Sequence, residues 1–447
     1  MKSKLISKEL KKKILKKITF DEEYVKKLDR CVLKFLSRLK GGVEDLKLPL
    51  KIKLGGSYAK DTYLKDSFDV DIFCIFREKK TDAEKEDIVI SLLNYTNIKY
   101  RIKHGSRRYF QGSYEAQEEI IFDFECVPTQ EYEDVNAIEN STDASIFHVN
   151  FFNSQKKLNP QLPDEVRLAK QWFKAQDLYG AESYIGGFSG HSIECLIVKL
   201  KTFENLLFYL STVKKGSRLT FDSIHSSFDM SKDKFSALAI QDPIISVRNA
   251  LTALEDSTFY KAKFKSLLAI ENKLKLEDFE ISIRDYELFK QDILENREND
   301  TFLLLEFIFF KNEESSDSIG SKVKKIIRKV EKYISKLGFS ILHSDFMYDT
   351  LSNKILCKIE LVSSNISIYT LTKGPSLELD SSILRDYLSS HKQENIIVLN
   401  GDLYIKYKRE IKSIKEFAHK YSNKEFFLDT FGNKPLDSLC KFNMYYS

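Results

Sequence analysis

The segment GGSYAKDTYLKDSFDVDIF, residues 55–73, constrains this chain more than any other stretch. Gly55 and Gly56 follow the strand-like run LPLKIKL at 48–54. They let the backbone approach a ligand closely, so their N–H groups and the Ser57 hydroxyl can cradle a phosphate at the start of a short helix. Asp69 stands twelve residues beyond Ser57, and Asp71 follows two further on, inside the apolar run VDIFCIF. Strand side chains alternate with a period of two, so Asp69 and Asp71 project from one face while Val70 and Ile72 point to the other. Two carboxylates on one face of a segment fit for burial repel each other unless a cation lies between them, and a divalent metal is the economical partner. The rival reading, acids at a surface loop edge, leaves the Gly-Gly-Ser and the apolar flanks unexplained.

A third carboxylate is expected on a neighbouring strand. EIIFDFEC at 119–126 offers Asp123 and Glu125, again two apart and on a shared face. Three carboxylates around two Mg²⁺ ions, with Mn²⁺ as a substitute, beside a Gly/Ser phosphate loop form the arrangement for two-metal phosphoryl transfer. One ion lowers the pKa of an attacking 3′-hydroxyl, and the other binds the triphosphate and the leaving pyrophosphate.

At 447 residues and 42% hydrophobic, the chain has room for about three domains with real cores. Lys and Arg number 71 against 66 Asp and Glu, a net charge of +5, so any nucleic-acid surface must come from local segregation of charge. No apolar run approaches the ~20 residues of a membrane span, and MKSKLISKELKKKILKK lacks the apolar centre of a signal peptide. A cytoplasmic protein with no membrane partner is the expectation. Leu5, Ile6, Leu10, Ile14 and Ile18 recur at helical spacing against a lysine face that also carries Glu9, which favours a plain amphipathic helix over a targeting presequence. The six cysteines are scattered singly with no CxxC pair, as expected of reduced, buried thiols.

Along the chain the periodicity changes twice. Helical spacing up to about residue 46, with Val25, Leu28, Val32 and Phe35 on one stripe, gives way to strands at 48–54, 70–76 and 119–126, which predict a helix-flanked mixed sheet. Residues 164–210 and 245–270 read as helical, broken by YGAESYIGGFSGH and KKGSRLTFDS. The third region mixes both periods: TFLLLEFIFF at 301–310 reads as a buried strand, two strands flank a YDTLSNK hairpin, and a helix over 321–336 sets Val323, Ile326, Ile327, Val330 and Ile334 against Lys324, Lys325, Arg328, Lys329 and Lys332. Trp172, the single tryptophan, is expected in the second core.

Gly-Gly-Ser, a spacer and Asp-x-Asp resemble the signature of the nucleotidyltransferase superfamily related to DNA polymerase β. More of the chain resembles one of its families, the archaeal-type (class I) tRNA CCA-adding enzymes. KKILKKITFDEEYVKKLDRCVLKFL is similar to that family's leading helices, with Phe20 where proline is usual. VRLAKQWFKAQDLYGAESYIGGFSGHSIECLIVKLKTFENLL is similar to its second-domain segment, IQDPIISVRNAL to its Asp-Pro…Arg-Asn stretch, and LTKGP with YIKYKRE to its C-terminal Gly-Pro and basic strand.

The resemblance implies an α+β chain: a polymerase β-like head with a mixed sheet (1–147), a helical nucleotide-recognition neck (148–265), and an α+β tRNA-binding body and tail (266–447). It implies a template-independent enzyme that builds or repairs the 3′ CCA of tRNA from CTP and ATP, with a homodimer as a candidate assembly. The family's metal carboxylates fall on Asp69 and Asp71. The Val-Pro that closes the family's strand puts the third at Glu125, where relatives have aspartate, with Asp123 as the substitute. Triphosphate and sugar contacts fall on Gly56, Ser57, Lys60, Ser145, His148, Lys170 and Tyr179, and the nucleobase-reading arginine on Arg248 beside Asn249.

Each has a plainer alternative. His148 is open to an ordinary hydrogen bond, Lys170 and Lys174 to a solvated helix face, Tyr179 to packing, and Arg248, at an apolar helix start, to a salt bridge with Asp242. Asp61 stands where relatives have glycine, and an acid there weakens triphosphate binding unless it points away. Lys406, Lys408, Arg409, Lys412, Lys415 and Lys420, among Tyr404, Tyr407 and Tyr421, supply phosphate contacts and an aromatic platform for RNA, or simply a solvated face. Two further readings share the Asp-x-Asp core: a poly(A) polymerase or oligoadenylate or cyclic-dinucleotide synthase, and a non-catalytic RNA-binding relative.

Overall fold

The structure, a computed structural model, describes residues 5–104, 107–116, 120–138, 140–221, 236–282, 285–295, 301–310, 315–392, 395–432 and 440–447. The chain divides into two compact units, Met1–Ser282 and Ile283–Ser447.

The first unit opens with two helices, α1 (Lys8–Ile18) and α2 (Glu22–Asp45), each capped by a side chain at its N-terminus, Ser7 and Asp21. Then come β1 (Leu50–Leu54), the short α3 (Gly56–Lys60), β2 (Asp69–Phe76), α4 (Asp82–Tyr95), β3 (Arg101–His104), β4 (Arg108–Glu115) and β5 (Ile121–Gln130). The five strands form one sheet in the order β1-β2-β5-β4-β3, with β2 and β5 parallel and the other pairs antiparallel. Period-two alternation sends Val70, Ile72, Cys74 and Phe76 of β2, with Phe122, Phe124 and Cys126 of β5, into a core closed by Leu28, Val32 and Phe35 of α2 and Val89, Leu92 and Leu93 of α4. The opposite parity carries Asp69, Asp71 and Glu125. The edge pair β3–β4 lies where no strand was predicted; RIKH and RYFQGSYE are too polar for the apolar pattern to register.

A helical portion follows: α5 (Ser145–Leu158), α6 (Leu162–Ala175), α7 (Gly190–Leu200), α8 (Phe203–Thr212), a two-residue parallel pair β6 (Arg218–Leu219) and β7 (Ala239–Ile240), and α9 (Asp256–Asn272). Trp172, 1% exposed, sits with Phe173, Phe188, Phe203 and Leu207 in its core, which α1 joins through Ile14 and Ile18. The helix expected from 245 does not begin until Asp256, and the boundary drawn at 265 falls within α9. The cause lies in two side chains that compete for backbone. The Asp242 carboxylate accepts from the Ile244 and Ile245 N–H groups at 2.9 and 3.0 Å, and Asn249 Oδ1 accepts from those of Ile240 and Leu251 at 3.1 and 2.9 Å. Arg248 therefore lies in a turn rather than at a helix start.

The second unit contains α10 (Tyr286–Glu295), β8 (Phe302–Phe309), α11 (Ser316–Leu337), β9 (Ile341–Asp349), β10 (Lys354–Leu361), β11 (Tyr369–Ser376), α12 (Ser381–Ser390), β12 (Ile396–Leu399), β13 (Asp402–Lys408), α13 (Ile414–Tyr421), α14 (Lys424–Phe431) and β14 (Cys440–Tyr446). Four strands pair in the order β14-β8-β10-β9, and β11, β13 and β12 form a smaller sheet. The uninterrupted apolar run of β8 is explained by burial on both faces: Leu303, Leu305 and Phe307 meet α11 and α13, while Phe302 and Leu304 meet Tyr286 and Ile293 of α10. The predicted hairpin at YDTLSNK is the β9–β10 connection. All six cysteines are buried and free, and among the described residues no helix is long and apolar enough to cross a membrane.

Candidate active site

Parallel pairing of β2 and β5 sets Asp69 opposite Asp123 and Asp71 opposite Glu125. One carboxylate oxygen each from Asp69, Asp71 and Glu125 lies within 4.8 Å of the others, and Gln111 Nε2 donates to Glu125 at 3.1 Å. Asp123 is exposed, accepts from the Ser113 hydroxyl, and stands outside this group. The glycines at the start of α3 are tied to this group: Gly55 N–H donates to the Asp71 carbonyl at 2.8 Å, and at Gly56, where φ is +56°, a Cβ would fall 1.4 Å from Asp71 Oδ2. Only glycine allows that approach.

Burial, then the neighbouring Asp69 charge, pushes Asp71 up to about 7, and burial followed by Asp69 and Asp71 pushes Glu125 up to about 8. Asp69 is also raised, chiefly by burial. Three carboxylates that oppose one another's ionisation, with oxygens converging and no ammonium bonded to them among the described residues, fit a divalent cation by their own chemistry.

A cavity of about 360 Å³ opens beside the trio, lined among others by Gly56, Ser57, Lys60, Lys170 and Tyr179 together with Asp69 and Asp71. Burial lifts the Tyr179 hydroxyl to about 12, and the Lys174 ammonium sits 5.0 Å from the Tyr179 ring centre. Lys174, Thr62, Ser67, His191 and Glu194 also line this cavity, and none of them was predicted as a contact. Glu194 had a legible signal, an acid inside the apolar helix segment IECLIV. Asp61 takes the left-handed conformation, φ +59°, which explains why glycine suits that position, and its carboxylate turns onto Arg167 and onto Lys156 at 3.0 Å.

Two of the remaining predicted contacts, His148 and Arg248, meet at Asp242. His148 Nε2 lies 2.8 Å from Asp242 Oδ1, while His191 Nε2 and Arg248 Nη1 lie 3.1 and 2.7 Å from Oδ2. The salt bridge weighed against nucleobase reading is thus present, with the Arg248 side chain 35% exposed and Asp242 fully buried. Burial holds His191 down at about 4 despite the carboxylate, and although burial opposes it, the two imidazoles keep Asp242 well below the usual carboxylate range. Asn249 spends its side chain on Ile240, Leu251 and the Ser236 hydroxyl. Ser145 occupies the first turn of α5, one turn before His148.

In the second unit Lys406 and Lys408 are exposed on β13, and the Lys406 ammonium lies 4.0 Å from the Tyr369 ring centre. Lys412 is half-buried beside Glu416, and Lys420 pairs with Glu410 at 2.5 Å. One expectation, Tyr421 as part of an exposed aromatic platform, is corrected. Arg409 turns its guanidinium onto the Leu337 carbonyl at the end of α11, where Gly338 leaves room for it. Tyr421 is 3% exposed, because Ile414, Phe417, Ala418 and Tyr421 form the apolar stripe of α13 and pack on Tyr333.

Three family models match the chain in succession: a nucleotidyltransferase domain over residues 36–122, the second domain of tRNA nucleotidyltransferase over 164–277, and the C-terminal domain of CCA-adding enzyme over 300–434. The chain is 29% identical over 351 residues to a CCA-adding enzyme of Methanocaldococcus jannaschii, covering 76% of this chain and 75% of that protein. It is 26% identical over 435 residues to one of Saccharolobus islandicus, covering 97% and 92%. To one of Nanoarchaeum equitans it is 29% identical over 328 residues, covering 72% and 76%.

Proposed function

Because the chain belongs to the CCA-adding enzyme family of nucleotidyltransferases, we propose that it adds or repairs the 3′-terminal CCA of tRNA without a nucleic-acid template, using CTP and ATP and releasing pyrophosphate. The observation that carries this reading is the convergence of Asp69, Asp71 and Glu125 beside the Gly56–Ser57 loop and a lysine-lined cavity. Two Mg²⁺ ions, or Mn²⁺ in their place, held by those three carboxylates would supply charge neutralisation for in-line displacement at the α-phosphorus.

The chain's own residues do the rest. Ser57 and the Gly56 backbone receive phosphate oxygens at the mouth of α3, and Lys60 and Lys170, which line the same cavity, offset the triphosphate charge. Tyr179 packs along the cavity and orients what enters. Arg248, held by Asp242 with part of its guanidinium exposed, presents fixed donors to an incoming base. His148, on the same carboxylate, is set as a neighbouring hydrogen-bonding group. Lys406, Lys408 and Lys412 are proposed to hold tRNA phosphates. The division of labour into head (1–147), neck (148–265) and body with tail (266–447) is part of the same proposal, as are action in the cytoplasm and a homodimeric assembly. Glu125 inside the trio, and Asp61 turned away onto Arg167, weigh against a relative that has lost its chemistry.

Replacing Asp71 by Ala tests the assignment. Incorporation should fall by at least ~10³-fold while tRNA affinity stays within a factor of about two; parent-like incorporation by that variant would remove the metal-site reading.

A further inference from the structure

Glu194 lies in the second turn of α7, 4% exposed, and holds three groups from two other parts of the unit. Lys60 Nζ of α3 reaches Oε2 at 2.6 Å, Lys170 Nζ of α6 reaches Oε1 at 3.0 Å, and the Thr62 hydroxyl donates to Oε1 at 2.8 Å. An ammonium has three N–H donors. Those of Lys170 meet Glu194 Oε1, the Thr62 carbonyl at 3.2 Å and the Thr62 hydroxyl at 3.1 Å, so its donors are already engaged. Among the described residues Lys60 makes its one hydrogen bond to Glu194, which leaves two donors for the cavity it lines.

We propose that Glu194 is a positioning residue for nucleotide binding: its buried carboxylate braces Lys170 and aims Lys60 at the phosphates of the incoming nucleotide. The inference rests on the reading of this cavity as a triphosphate site. Two ammonium groups buried side by side without a counter-charge repel each other and lose solvation, so one carboxylate between them is what lets both stay there. Burial pushes Lys170 down and Glu194 opposes that fall; in return, against its own burial, Lys170 and Lys60 hold Glu194 well below the usual carboxylate range. Asp71 of β2, Arg167 of α6, Tyr179 and His191 also face this cluster, and none of them bonds the Glu194 carboxylate among the described contacts.

The test is Glu194→Gln in the full-length protein, assayed with CTP, ATP and inorganic pyrophosphate as a competitive probe on tRNA lacking its CCA end. KM for both nucleotides and the pyrophosphate inhibition constant should rise about tenfold near pH 7, with the loss falling on KM rather than kcat. Because burial already pushes the Lys170 ammonium down and the variant removes the carboxylate that opposes that fall, KM should climb more steeply for the variant than for the parent between about pH 7 and pH 9. In a Lys60→Gln background the effect of Glu194→Gln should shrink to less than about threefold, since Glu194 acts through that lysine. Should Glu194→Gln fail to fold, Thr62→Val, which removes one bond to the same carboxylate, carries the test with a smaller shift of the same sign. A KM profile that matches the parent's at every pH, or an effect that persists undiminished without Lys60, overturns the proposal. A parent that adds no nucleotide to tRNA refutes the triphosphate reading instead, so the two failures are told apart.

Discussion

At the scale of single residues, the mutual repulsion of Asp71 and Glu125 has a thermodynamic sign. Burial and neighbouring charge raise their folded values to about 7 and about 8, above the unfolded values of roughly 4. Between those limits the folded protein binds protons that the unfolded chain has released, so without metal its stability is greatest below about pH 4 for these groups and falls as pH rises through 7 to 8. A divalent cation should reverse the trend by replacing the protons. Melting temperatures in chelator are predicted to drop from about pH 5 to pH 8, and Mg²⁺ to restore most of the loss at the upper pH; a chelated protein equally stable at both would contradict the buried trio. Asp69 and Asp71 were legible in the sequence because strand alternation alone puts both on one face. The choice of Glu125 over Asp123 came from the Val-Pro of the family resemblance and not from alternation, since both have the same parity; the β2–β5 register sets Glu125 opposite Asp71. The fate of Asp61 was equally hidden, because Arg167 lies over a hundred residues away in sequence.

Elements with a clean period were read correctly, and those shaped by side chain–backbone bonds were not. α11 and α6 follow from their apolar stripes, and β8 from its length. The segment from 245 to 255 has helical spacing, but Asp242 and Asn249 take its N–H groups first, and no periodicity reports that competition. Arg409 is the case where an element decides between two meanings of a charge. As a cap on the α11 terminus, its replacement by Ala should cost about 1–2 kcal/mol of stability in denaturant titration and leave the salt dependence of tRNA binding unchanged. Lys406→Ala, at an exposed position whose ammonium lies over the Tyr369 ring, should do the opposite, lowering the salt slope by about 1 with no loss of stability. Exchange of those two phenotypes would reverse the assignment of the basic strand.

For the whole molecule, the net charge of +5 conceals the arrangement that matters. Some acids converge in the trio and others neutralise buried lysines, as Glu194 does, while exposed lysines remain on α11 and β13. The sequence carried the two-part logic of a phosphate loop and paired aspartates, and its resemblance to one family extended that logic along most of the chain. The Arg248 bond to Asp242 was within reach of the sequence, but the two histidines on Asp242 and the two lysines on Glu194 were not, because only tertiary packing brings those groups together. The central claim is template-independent synthesis of CCA, and one assay meets it directly. Purified protein with Mg²⁺ is given tRNA lacking its CCA end, with CTP and ATP separately and together, and the 3′ ends are sequenced. The account predicts C and C from CTP alone, a terminal A only when ATP is also present, and arrest after that A; long A tails, products formed without tRNA, or no addition at all would contradict it.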